Sequence, residues 1–126
     1  MAKDIFHNQV KTALIKDGWK ITHDPMTIRI SEVVKLHIDL AAESAIAAER
    51  DSEKIAVEIK SFLSPSPIKD LENALGQFIL YARILDRQES ERRLYLAINR
   101  TVFNDIFIRR GLSTTSRNNR FAFNYL

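Results

Sequence analysis

The chain has 126 residues, 45% of them hydrophobic, and 19 Lys and Arg against 16 Asp and Glu give a formal charge of +3. That length suits one domain with a proper core, and there is neither a run of about 18 apolar residues to cross a bilayer nor an export signal at the amino terminus. Cysteine is absent, which excludes disulfides, thiolate ligands and cysteine nucleophiles and suits a reducing cytoplasm.

The charge is unevenly spread. Four arginines (Arg109, Arg110, Arg117, Arg120) and no acid follow Asp105, so the total of +3 less these four leaves −1 for residues 1–108. A basic tail from about residue 109 suits contact with an anionic polymer, and a solvated terminus is the plain alternative.

Residues 3–17 read as a helix with Phe6, Val10, Ala13 and Leu14 on one side and Gly18 as its stop. Residues 19–30 are strand-like, with Trp19 and Ile21 as core candidates, and Asp24-Pro25 turns or bulges the chain there. Leu36-His37-Ile38-Asp39-Leu40 alternates as a strand, with Leu36, Ile38 and Leu40 on one face and His37 and Asp39 on the other. The alanine-rich residues 41–50 predict a short helix or an extended arm.

Ile55-Ala56-Val57-Glu58-Ile59-Lys60 alternates again, with Ala56, Glu58 and Lys60 on one face. Ser64-Pro65-Ser66-Pro67 ends that strand. A long helix over residues 68–87 carries a stripe of Leu71, Ala74, Leu75, Phe78, Ala82 and Leu85. Residues 92–99 form a strand, 101–108 a short helix and 121–126 a final strand. The order is helix, three strands, helix, strand, helix. Residues 55–99 predict a crossover joining parallel strands, and the earlier strands can pair antiparallel. The class is α/β: a mixed β-sheet sandwiched by helices.

If the two alternating strands are neighbours, Asp39, Glu58 and Lys60 project from one sheet face. Asp39 and Glu58 then suit one Mg²⁺ (or Mn²⁺), with the Ile59 carbonyl as a third protein ligand, because magnesium prefers hard oxygen donors and keeps most of its waters. Lys60 would orient or deprotonate the attacking water, or steady charge growing at phosphorus. Gln77 lies on a flank of the long helix with Tyr81, at an edge that reaches over the sheet toward this site. The plain alternative is a solvated strand face with exposed Glu and Lys at i and i+2. His37 shares a face with Asp39, whereas His7 and His23 read as surface or locally bonded.

Ala2-Lys3-Asp4-Ile5-Phe6-His7, Ala13-Leu14-Ile15-Lys16-Asp17-Gly18-Trp19, Ile21-Thr22-His23-Asp24-Pro25, Ile38-Asp39-Leu40, Ile55-Ala56-Val57-Glu58-Ile59-Lys60-Ser61-Phe62, Ala74-Leu75-Gly76-Gln77-Phe78 and Leu94-Tyr95-Leu96-Ala97-Ile98 together resemble the XisH family of fdxN-element excision controlling factors. The resemblance runs in order from residue 2 to about residue 108. It implies a single domain over residues 1–126 with a restriction-endonuclease-like fold of the PD-(D/E)xK superfamily. Asp39 takes the first acidic position, Glu58 the second, Lys60 the lysine and Gln77 the glutamine of the following helix. Implied partners are DNA, a XisI-like companion protein and a recombinase complex, with no membrane; self-association is left open. The pattern's first-helix acid has only Asp4 near it, and Ser113-Thr114-Thr115-Ser116-Arg117-Asn118-Asn119-Arg120 departs from the family's closing segment.

Three functions are therefore in play. One is a metal-dependent DNA endonuclease using Asp39, Glu58, Lys60 and Gln77. Another is a non-catalytic accessory subunit that grips DNA or the recombinase complex. The third is a subunit that joins its companion through an apolar surface at Phe103, Ile106, Phe107 and Ile108.

Overall fold

The computed structural model describes residues 5–44, 53–105 and 123–125. Asp4, residues 45–52 and residues 106–122, which include Ile106, Phe107, Ile108 and the four arginines of the tail, lie outside the described residues.

Helix α1 (His7–Lys16) is followed by β1 (Trp19–His23), β2 (Met26–Arg29), β3 (Lys35–Ile38), β4 (Leu40–Ser44) and β5 (Lys54–Lys60). Helix α2 (Pro67–Gln88), β6 (Arg92–Ile98), α3 (Arg100–Phe103) and β7 (Phe123–Tyr125) complete the order. The main sheet runs β1-β4-β5-β6-β7, and β2 and β3 form a separate two-stranded sheet. β4 pairs antiparallel with β1 and β5, whereas β5, β6 and β7 run parallel. Passing from β5 to a parallel β6 requires a crossover, and α2 supplies it.

The central strands of the main sheet are packed on both faces. Val10 and Leu14 of α1 pack with Leu40, Ala42, Ile55, Val57, Ile59 and Ala97 on one side. Leu71, Ala74, Phe78 and Leu85 of α2 pack with Ala56, Leu94, Leu96 and Ile98 on the other, together with Met26, Ile28, Leu36 and Ile38 of the hairpin. Burying a side chain the size of Phe78 contributes roughly 1.5–3 kcal/mol, so the α2 stripe holds that layer in place.

Local chemistry sets the ends of the helices. Gly18 adopts φ +92°, a left-handed conformation that a residue without Cβ takes cheaply, and its N–H returns to the Ile15 carbonyl at 3.1 Å. Ser66 caps α2 by accepting the Lys69 N–H at 3.3 Å, and Pro67 sits where no donor is needed.

Several sequence expectations are corrected. Five strands, not three, lie between α1 and α2. Pro25 splits residues 19–30 into β1 and β2, which join different sheets. Leu40 does not share a face with Leu36 and Ile38: those two pack under α2 and Leu40 under α1, because the chain changes sheets at Asp39. Residues 41–44 belong to strand β4 rather than to a helix or an arm, since pairing with β1 and β5 outweighs the helix propensity of alanine. Ala13 is exposed and His7 is buried, so the inner face of α1 runs through His7, Val10 and Leu14.

Candidate metal centre

The site begins with a missing strand partner. Ser44 N–H donates to the Glu53 carbonyl at 2.9 Å, and the register continues through Ala42↔Ile55 and Leu40↔Val57. Main-chain groups alternate sides along a strand, so Ile59 also turns its N–H and carbonyl toward β4. There β4 has ended, because Ile38 pairs with Met26 in the other sheet. The Asp39 carboxylate fills the gap: its Oδ2 accepts the Ile59 N–H at 2.7 Å. In return, Asp39 N–H donates to Glu58 Oε1 at 3.2 Å. Two acids 19 positions apart are thereby locked side by side.

Both are buried, Asp39 at 9% and Glu58 at 7% exposure. Burial pushes the Glu58 carboxyl up to about 8, and the adjacent Asp39 charge and a hydrogen bond to Asp39 push in the same direction. Lys60 opposes the shift from 3.8 Å, a modest pull through a side chain that is partly in solvent. Glu58 is therefore protonated at neutral pH in the metal-free protein.

Gln77 Nε2 donates to the Tyr81 hydroxyl at 2.8 Å. Burial raises the Tyr81 phenol; the Gln77 hydrogen bond works against this, and the charges of Glu58 and Asp39 add to it. These groups share a cleft of about 640 Å³ whose walls include Lys35 and His37 of β3, Asp39, Glu58 and Lys60, and Asp70, Asn73, Gln77 and Tyr81 of α2. Phe62, also in the wall, holds φ +56°. A left-handed, non-glycine residue costs on the order of 1–3 kcal/mol and is characteristic of sites where the surroundings enforce a shape.

The structure thus brings Asp39, Glu58, Ile59, Lys60 and Gln77 to one cleft. Among the described residues, no group of three or more His, Cys, Asp or Glu side chains is placed to hold a metal. The oxygen donors that the cleft offers at the acid pair are two carboxylates and the Ile59 carbonyl, which faces the same side as its N–H. Hard oxygen donors in that small number fit a magnesium-like ion that retains waters. A cation there would favour the ionised form of Glu58, offsetting the burial and the Asp39 charge that raise its carboxyl. Lys60 supplies a positive charge beside the acid pair.

Some contributors carry no local signal in the sequence. Tyr81 is legible only as a flank neighbour of Gln77. Asp24 does more than turn the chain: its Oδ1 lies 2.6 Å from His7 Nε2, and Lys11 Nζ donates to Oδ2 at 2.7 Å. His23, by contrast, is locally bonded, its Nδ1 lying 2.9 Å from Thr22 Oγ1. His37 lines the cleft but its Nδ1 is engaged with Thr27 Oγ1 at 2.9 Å. Arg92 is buried at 5% exposure, with Nη1 donating to the Ile55 carbonyl at 2.9 Å and Nε to Glu89 Oε1 at 3.0 Å.

No helix among the described residues is long and apolar enough to cross a membrane. No curated protein matches the chain. A crystal structure of a XisH family protein from Nostoc punctiforme PCC 73102 is 50% identical, with a TM-score of 0.70 over 82% of this chain and 76% of that one. The crystal structure of a fdxN element excision controlling factor protein from Anabaena variabilis is 48% identical, with a TM-score of 0.70 over 83% of this chain and 76% of that one. The sequence profile of XisH proteins matches residues 1–123, and so extends through the 113–120 segment that reads as divergent. The chain belongs to the XisH family.

Proposed function

We propose that this protein is a DNA-processing factor that controls site-specific excision of a DNA element in the cytoplasm, and that its cleft is a Mg²⁺- or Mn²⁺-dependent phosphodiester-hydrolysing site of the restriction-endonuclease-like, PD-(D/E)xK kind. The observation that carries the reading is the buried Asp39–Glu58 pair, joined through main-chain N–H groups, with Lys60 beside it. The structural relative from Anabaena variabilis, a fdxN element excision controlling factor protein, supports the biological side.

In this reading Asp39, Glu58 and the Ile59 carbonyl hold the ion. When bound, it supplies charge neutralisation at phosphorus and a more acidic water. Glu58 would have to be ionised to serve as a ligand. Lys60 orients the nucleophilic water or steadies the extra negative charge on the phosphate oxygens. Gln77 fixes the Tyr81 hydroxyl at the cleft wall, where it can donate to a phosphate oxygen.

The test is incubation with supercoiled, branched and element-junction DNA in Mg²⁺ or Mn²⁺, alone and with a XisI-like companion. Cleavage that falls by about 100-fold or more in Asp39→Asn, Glu58→Gln and Lys60→Ala is expected. Absence of cleavage on every substrate with the companion present would reject the catalytic role.

A second reading is favoured by one observation: both carboxylates already accept main-chain N–H groups and so splice the two sheets together. In an accessory subunit acting with a XisI-like partner and a recombinase, that structural duty alone would explain them. Metal-independent DNA or partner binding, unchanged in Asp39→Asn and Glu58→Gln, would select this reading.

A further inference from the structure

We infer that the outer face of the β2–β3 hairpin is an arm that contacts the phosphate backbone of duplex DNA and leads it toward the Asp39–Glu58 cleft, an inference that rests on the cleft being a DNA site. The hairpin is rigidly mounted. Its inner residues Met26, Ile28, Leu36 and Ile38 are all buried in the layer beneath α2. The end of β2 is tied to the end of α2, where Gln88 Nε2 donates to the Arg29 carbonyl at 3.2 Å.

Alternation then fixes what faces outward. The cross-strand pairs on that face are Thr27↔His37 and Arg29↔Lys35. Two cations directly opposite each other destabilise a strand pair unless something negative lies across them. Neither Arg29 nor Lys35 forms an ion pair among the described residues. The hairpin's one acid, Glu32, lies in the connecting turn and offers Arg29 its main-chain carbonyl at 3.3 Å. The row is continuous with the cleft, since Lys35 and His37 form part of its wall and Asp39 follows β3 directly. A polyanion laid along the hairpin would satisfy the paired cations and arrive at the acid pair in one path. A duplex carries closely spaced phosphates along its length, and strand-borne Arg and Lys are suited to contacting that backbone without reading sequence.

The experiment measures duplex-DNA affinity of the full chain in EDTA, where cleavage cannot interfere, across a salt series. The proteins are wild type, the double variant Arg29→Gln/Lys35→Gln, and a matched-charge control, Lys16→Gln/Lys20→Gln, on α1 and β1. The hairpin variant should bind roughly three- to tenfold more weakly, and its slope of log K against log salt should shrink by about 1 to 2. Its thermal midpoint without DNA should be unchanged or higher, because the like-charge pair is relieved. Equal slopes in wild type and hairpin variant, or an equal loss in the control, would overturn the arm. So would a hairpin variant that keeps its DNA slope but loses an acidic protein partner. A failed arm with metal-dependent cleavage intact would leave the nuclease reading standing. A slope change without any cleavage would do the reverse.

Discussion

Ile59 N–H donates to Asp39 Oδ2 at 2.7 Å, where a carbonyl of β4 would stand if that strand ran on. The side chain therefore has a structural role before any catalytic one. Asp39→Ala leaves a buried N–H without an acceptor and should cost about 1–3 kcal/mol in the metal-free protein. Asp39→Asn keeps an oxygen that can accept the same N–H, so it should cost less. Urea unfolding in EDTA separates the two; equal stability of both variants would refute this role.

Glu58 makes stability depend on pH. Its carboxyl lies at about 8 in the folded, metal-free protein against an ordinary 4.5, with burial as the main cause and Asp39 next. Between those values the folded state holds a proton that the unfolded state has lost. Stability should therefore fall as pH rises across that window, by at most about 1.4 kcal/mol per unit, and level off above it. Denaturation midpoints at several pH values check this, and Glu58→Gln should flatten the slope.

Asp24 has the opposite sign. The Lys11 hydrogen bond does most to hold its carboxyl below the ordinary 3.8; burial opposes this and His7 assists. Its contribution is present above the ordinary carboxylate range and is lost as pH falls through the folded value. Asp24→Asn should cost on the order of 1 kcal/mol at neutral pH, with the gap to wild type closing in acid. Thermal melts at neutral and acidic pH measure it, and a gap that widens in acid would contradict the assignment.

Arg92 joins strands through its fork, reaching the Ile55 carbonyl at 2.9 Å, the Ala42 carbonyl at 3.5 Å and Glu89 at 3.0 Å. Arg92→Ala should cost about 3 kcal/mol, because it removes the buried guanidinium that bridges both strands and leaves Glu89 without its cation. Arg92→Lys should recover only part, because an ammonium cannot span the same fork. Denaturant titration of both variants tests the order; a lysine variant as stable as wild type would count against it.

How much of this was readable from residues alone depended on range. The alternation of Ile55, Val57 and Ile59 against Ala56, Glu58 and Lys60 is local, and it placed β5 and its two faces correctly. The α2 stripe and the Gln77–Tyr81 neighbourhood follow from helical periodicity in the same way. Asp39 is different. Its neighbours alternate smoothly, so nothing in Leu36-His37-Ile38-Asp39-Leu40 marks a change of sheet; only the pairing of Ile38 with Met26 and of Leu40 with Val57 creates it. Alanines at 41 and 42 read as helix formers until two strand partners enclose them. His7, Lys11 and Asp24 converge across 13 to 17 positions, and Arg92 finds carbonyls 37 and 50 positions away. Such contacts belong to the topology and have no local pattern to betray them.

Calorimetric titration of Mn²⁺ into the metal-free protein at neutral pH shows whether Asp39 and Glu58 together hold one divalent cation, as proposed. One ion should bind per chain with release of close to one proton, since Glu58 begins protonated, and either Asp39→Asn or Glu58→Gln should abolish that binding. Wild-type protein that takes up no ion, or variants that bind Mn²⁺ as well as wild type does, would contradict it.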